Sequence, residues 1–154
     1  MSNQNNIPSK AEEVKLSYNR PAISSMPKIS NSYETQKLFR AHWEQPTLDL
    51  HESMMAMFLT RSNHVLAVSL VGVGCISSVI INKKAIFQQA LLLNACSIIL
   101  CHNHPSGNLK PSKHDLHLTD NVKQACNLLD IQLLDHIILT SESYTSLSDE
   151  GLMT

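Results

Sequence analysis

The sequence predicts an α/β fold, a single domain built on a mixed β-sheet flanked by helices, and three observations point to it. Short apolar runs rich in β-branched residues recur beyond the first third of the chain, as in "VLAVSLVGVG" and "SIILC", and runs of that length suit buried strands. Between them, apolar residues return every three or four positions, the period of a helix packed on one face. The chain has 154 residues, one domain's worth.

Taken in order, residues 1–30 are rich in Ser, Asn, Pro and Lys with isolated hydrophobes. That composition offers too little apolar surface to offset the entropy of ordering the backbone, so a mobile polar arm is expected, with a short strand at "VKLSYN". The domain proper is expected over 31–154. It opens with "NSYETQKLFRAHW", where Asn31 or Ser32 is a candidate N-cap and Tyr33, Leu38 and Trp43 stand among polar residues, a short helix. "SMMAMFL" is a compact apolar strand, "TRSNH" a turn, and "VLAVSLVGVG" and "CISSVIIN" two further strands. Gly72 and Gly74 in "LVGVGC" mark a bulge or strand bend, since no helix opening on Lys-Ser or Lys-Thr follows to make a phosphate loop.

"KKAIFQQALLLNAC" then sets Ile86, Ala90 and Leu93 at helical spacing, and "SIILC" resumes a fully apolar strand. "SKHDLHLTDNVKQACNLLD" carries Leu118, Val122, Ala125, Cys126 and Leu129 on one stripe and predicts a core-facing helix. "IQLLDHIILT" is a strand, and "SESYTSLSDEG" a turn and short strand ending at Gly151.

The formal net charge of -1 leaves no whole-chain footprint for nucleic acid or an anionic membrane, so such a partner would need a local patch, for which Lys110, Lys113 and Lys123 are the candidates. Cys75, Cys96, Cys101 and Cys126 lie in apolar surroundings without a C-x-x-C pair, which suits reduced thiols and a cytoplasmic protein. The N-terminus lacks the apolar segment of a signal peptide, and no apolar run approaches the roughly 20 residues that span a bilayer.

The chemistry concentrates in "CHNHPSGNLKPSKHD", residues 101–115. If the strand persists past Cys101, His102 and His104 project from one face, roughly 6.5–7 Å apart at Cα, close enough for two imidazoles to converge on one ion. A His-x-His pair alone is common in loops, and a third ligand decides between a polar loop and a metal site. Asp115 has two readings. Ser112-x-x-Asp115 forms a capping box at the helix start. On the helical wheel, Asp115 also lies within about 60° of Leu118, Val122, Cys126 and Leu129, whereas Asp120 falls about 140° away. A carboxylate on the apolar stripe needs a partner, and a divalent cation held by two histidines is a strong candidate. Two histidines and a carboxylate leave an open coordination position, as in catalytic zinc sites, although non-haem iron uses the same ligand types.

The neighbours read differently. Cys101 points away from both histidines and is expected to be a core thiol. His114 and His117 sit off the stripe, solvated or facing a substrate. Asp135 and His136 are candidates for a hydrogen-bonded pair, either behind the ligands or with no catalytic duty.

His102-x-His104-Pro105-x6-Ser112-x-x-Asp115 matches the JAMM metalloprotease motif of the JAB/MPN fold, and "HNHPSG" with the downstream "LDHIIL" resembles the bacterial RadC family, over about 48–152. The resemblance implies a JAB/MPN-like, cytidine-deaminase-like fold with one zinc ion on His102, His104 and Asp115. It also implies Glu52 in "HESMMAMFL" as general base and Ser112 as oxyanion stabiliser. The implied activity is a zinc-dependent metallopeptidase or amide hydrolase acting on a peptide or isopeptide bond. The alternative the resemblance leaves open is an accessory protein of DNA repair or mobile elements, acting on or near DNA. Longer RadC proteins carry an N-terminal helix-hairpin-helix region; here only an arm and one helix are expected ahead of the domain, as in short forms.

Overall fold

Six strands form one mixed sheet: β1 (Ser53–Leu59), β2 (Val65–Cys75), β3 (Ser78–Ile81), β4 (Ser97–Asn103), β5 (Gln132–Leu139) and β6 (Tyr144–Ser146), in the spatial order β3-β2-β1-β4-β5-β6. They come from a computed structural model that describes residues 15–43, 47–75 and 78–153. All pairings are antiparallel except β4 with β5. A parallel pair needs a crossover, and α3 (Lys113–Leu128) supplies it. The other helices are α1 (Ser32–His42) and α2 (Lys83–Leu92).

Every residue of β1 and β4 is buried, so both sheet faces are covered there, and alternation sorts their side chains. Met54, Ala56 and Phe58 join Ile98 and Leu100, Ile86 and Ala90 of α2, and Leu118, Val122 and Cys126 of α3 in one core. Met55, Met57, Leu59, Ile99 and Cys101 face the other way, onto Phe39, Trp43, Leu48, Ile137 and Leu139. Each large side chain fully buried in these layers contributes roughly 1.5–3 kcal/mol, which anchors the central strands and so the β4 end that carries the histidines. Where Met54 pairs with Gly72 but Met55 pairs with Leu70, Val71 is the extra residue of a bulge, next to Gly72.

The helices begin at side-chain caps. Asn31 accepts from the Glu34 N–H at 2.9 Å and Asn82 from the Ala85 N–H at 3.0 Å. Capping at Asn31 turns Thr35, Gln36 and Phe39 inward, so Phe39 rather than Tyr33 is the anchor of α1; Tyr33 is 58% exposed. Leu129, expected on the buried stripe of α3, is 38% exposed because the helix ends at Leu128 and Leu129 is its C-cap.

The arm expected over 1–30 is only partly described. The strand expected at "VKLSYN" does not form over 15–19. Further on, Met26 and Ile29 are buried, the Pro27 carbonyl accepts from the Val65 N–H at 2.8 Å, and the Ile29 N–H donates to the Asn63 carbonyl at 3.1 Å. Two hydrophobes and the free backbone beside β2 are enough to dock this end of the polar stretch. Among the described residues no helix is long and apolar enough to cross a membrane.

Candidate metal centre

The strand does continue past Cys101. β4 includes His102 and Asn103, and alternation gives them opposite duties. His102 shares the α3 side with Ile98 and Leu100. Asn103, on the α1 side with Cys101, donates from Nδ2 to the carbonyls of Leu48 at 2.6 Å and His51 at 2.8 Å, and accepts the Ser53 N–H at 2.6 Å. Asn103 therefore ties down the backbone on both sides of Glu52, a role the sequence reading missed. Beyond the strand, the His104 N–H donates to the Leu139 carbonyl at 2.8 Å, and Gly107, at φ +77°, lets its own N–H return to the His104 carbonyl at 3.0 Å. That left-handed turn, which glycine adopts without strain, sends the chain back toward the start of α3.

There Asp115 caps the helix and also faces inward. The Ser112 hydroxyl accepts from the Asp115 N–H at 3.1 Å, and Asp115 Oδ2 accepts from the Ser112 N–H at 2.7 Å, a closed capping box. The same carboxylate faces the histidines: Oδ1 is 3.3 Å from His102 Nε2 and Oδ2 is 3.6 Å from His104 Nε2. The two Nε2 atoms are 2.9 Å apart. All three residues are buried, with one ligand atom from each lying within 4.8 Å of the others.

The donor set fits a small divalent cation. His104 Nδ1 is 2.6 Å from the Asn108 carbonyl, which can only accept, so in a neutral ring the proton sits on Nδ1 and Nε2 is a bare lone pair. Ligand atoms on a tetrahedral ion with bonds of about 2.0–2.1 Å are roughly 3.3–3.4 Å apart; the N···O separations, one to each carboxylate oxygen, are 3.3 and 3.6 Å and the Nε2 pair is closer at 2.9 Å. Without a cation, the carboxylate leans on the imidazoles. Burial alone would raise the Asp115 pKa, but the His102 and His104 rings that face it, with the Ser112 bond, hold it far below the usual carboxylate range. Conversely, Asp115 raises the pKa of His104.

A cavity of about 270 Å³ opens beside the cluster, lined by Glu52, His104, Ser106, Asn108, Lys110, Ser112, His114 and Asp115. Glu52 and Ser112 are thus brought to the same space as two of the three candidate ligands. The Ser112 oxygen accepts its backbone bond and keeps a hydroxyl proton to donate. His114 lines this cavity and His117 is exposed. Lys110 lines it too, whereas Lys113 is exposed at the start of α3 and Lys123 lines a different hollow, so the three lysines do not form one patch. Cys101 is fully buried in the opposite layer, where burial raises its pKa well above the ordinary thiol value.

Asp135 and His136 do not pair through their side chains. Successive strand residues point to opposite faces; Asp135 accepts from the Ser146 hydroxyl and the Ser148 N–H, while the His136 ring stands behind His102, its Nε2 2.7 Å from His102 Nδ1. Thr119, one helical turn after Asp115, is 2.7 Å from the other side of the His136 ring. Thr119 went unnoticed because the stripe was read from apolar residues, though it lies only about 40° from Asp115 on the wheel.

The family model of the RadC-like JAB domain matches residues 29–152. A UPF0758 protein of Flavobacterium johnsoniae is 40% identical over 102 residues, which is 66% of this chain and 44% of that protein. UPF0758 proteins of Clostridium acetobutylicum and Aquifex aeolicus are each 41% identical over the same shares. The chain thus spans less than half the length of these curated relatives. With the sheet order, the buried His-x-His and the inward aspartate in place, the match over most of the chain leads to one conclusion: the protein belongs to the RadC-like JAB domain family.

Proposed function

We propose that the protein is a zinc-dependent amide hydrolase whose substrate is a peptide or isopeptide bond, with His102, His104 and Asp115 as the metal ligands. The observation that supports this most is the convergence of two imidazole nitrogens and a carboxylate at the wall of a cavity that also holds Glu52 and Ser112. Zinc bound there would supply Lewis acidity, polarising a carbonyl and lowering the pKa of a bound water toward about 7.

The protein's own groups do the rest. Glu52 takes a proton from the attacking water onto its carboxylate and passes it to the leaving amine. Ser112 donates its hydroxyl proton to the developing oxyanion, from a position fixed by its cap bond to Asp115. Asn103 holds the backbone around Glu52 so that the carboxylate stays in the cavity. The capping box holds Asp115 before any ligand arrives, which limits the ordering needed on binding.

The test is zinc content and hydrolysis measured together. After zinc loading and dialysis, the wild type is expected to hold one equivalent and to cleave members of a peptide and isopeptide library. Glu52→Gln is expected to keep the zinc and lose roughly 10²–10⁴-fold in rate. A wild type that retains no zinc, or a Glu52→Gln variant as active as the wild type, would sink the proposal.

A further inference from the structure

We infer that Thr119 and His136 are positioning residues that set the tautomer of His102, keeping its Nε2 bare and aimed at Asp115. The inference rests on the reading that this cluster holds a metal, and follows from counting protons along one chain of hydrogen bonds.

The chain begins at a group that cannot donate. Thr119 Oγ1 lies 2.6 Å from the Asp115 backbone carbonyl and 2.7 Å from His136 Nδ1. A hydroxyl has one proton, and the carbonyl can only accept it. Toward His136 the Thr119 oxygen is therefore an acceptor, and His136 Nδ1 carries the N–H. A neutral imidazole has a single N–H, so His136 Nε2 is bare. It stands 2.7 Å from His102 Nδ1, which must then be the donor. That leaves His102 Nε2 without a proton, its lone pair turned to the space between Asp115 Oδ1 at 3.3 Å and His104 Nε2 at 2.9 Å, where a cation rather than a hydrogen bond would join the three groups.

The steps follow in order from the Thr119 hydroxyl, and the relay ends where it began. Its first acceptor is the main chain of Asp115 and its last nitrogen faces the Asp115 side chain, so α3 supplies both a ligand and the reference for a neighbouring ligand. The His136 ring is fully buried, with the Thr119 hydroxyl at one nitrogen and the His102 ring at the other. Histidines on metals usually pass their other N–H to a carboxylate or a carbonyl. His104 follows that habit through Asn108; His102 reaches a carbonyl only through two intervening side chains. A defect anywhere in the relay would free the His136 ring to present an N–H to His102 and to push the His102 proton onto the ligating nitrogen.

The test reads the tautomer and the metal affinity of the full chain separately. In the metal-free, ¹⁵N-labelled wild type near pH 8, a two-bond ¹H–¹⁵N correlation spectrum is expected to show His102 as the Nδ1–H tautomer. Thr119→Val is expected to lose that single tautomer and to bind zinc roughly 10–100-fold more weakly, while Thr119→Ser, which restores the hydroxyl, returns both readings to wild type. An Nε2–H tautomer at His102 in the wild type overturns the inference, and so does a Thr119→Val variant that binds zinc as the wild type does. The wild-type spectrum decides the matter even if Thr119→Val does not fold. Neither reading depends on turnover: a protein with this tautomer and this affinity pattern that cleaves no amide would overturn the hydrolase proposal and support the relay.

Discussion

Asp115 and Asp135 are each 7% exposed, yet they occupy opposite kinds of site. Asp135, on β5, accepts from the Ser146 hydroxyl at 2.6 Å, the Ser148 N–H at 3.0 Å and the His136 N–H at 2.7 Å. Donors surround it, and it clasps the chain after β6 to the sheet. Asp115 receives the Ser112 N–H on one oxygen and otherwise faces two imidazole nitrogens. Their pKa values move apart. Burial is the main cause that raises Asp135, with Asp149 adding to it, whereas for Asp115 the imidazoles outweigh burial and pull the value down. Equal burial therefore says little about function. What a buried carboxylate faces decides whether it is a structural clasp or part of a candidate cation site.

Substituting each aspartate is the strongest way to break the comparison. Asp115→Asn is expected to weaken zinc binding by about 3–5 kcal/mol, roughly a hundred- to several-thousand-fold. Asp135→Asn is expected to leave zinc affinity within about threefold and to lose about 1–3 kcal/mol of stability, the cost of donors left unpaired. Chelator competition and denaturant midpoints separate the two. Equal losses of affinity would erase the distinction.

Metal removal gives a comparable effect on stability. Free zinc at about a thousand times its Kd stabilises a protein that binds it only when folded by about 4 kcal/mol. Thermal unfolding with and without chelator is expected to show that increment in the wild type and in Asp135→Asn, and to lose most of it in Asp115→Asn.

The smallest effect is in pH dependence without metal, where the two aspartates have opposite signs. A carboxylate held low in the folded state contributes stability above its unfolded pKa of about 3.9 and loses it as the pH falls. The stability gap between wild type and Asp115→Asn is thus expected to narrow as pH drops through about 4. Asp135, raised in the folded state, costs stability as the pH climbs from about 4 through its folded value. Asp135→Asn cannot ionise and escapes that decline. Urea midpoints from pH 3 to 7 would show the divergence.

How much of this was legible in the sequence follows the physics of each signal. β1 was readable residue for residue because "SMMAMFL" is buried on both faces and so apolar throughout. His102, His104 and Asp115 were readable because strand alternation and the helical wheel are local rules that hold until the element ends. Leu129 failed for the same reason, since the wheel does not say where a helix stops. His136 was readable only as half of a pair with Asp135, and Thr119 and Asn103 not at all, because their duties depend on which strands become neighbours. The parallel pairing of β4 with β5 sets His102 opposite Ile138 and Leu100 opposite His136, and no local pattern announces that pairing. The docking of Met26 and Ile29 was hidden likewise, because two isolated hydrophobes carry no period.

X-ray absorption at the zinc edge of the loaded full chain tests the central claim most directly. Coordination by His102, His104 and Asp115 predicts two imidazoles and oxygen donors at about 2.0–2.2 Å, and loss of one imidazole signature in His104→Ala. A sulfur shell near 2.3 Å, which would bring in a cysteine such as Cys101, or an unchanged first shell in His104→Ala, would contradict it.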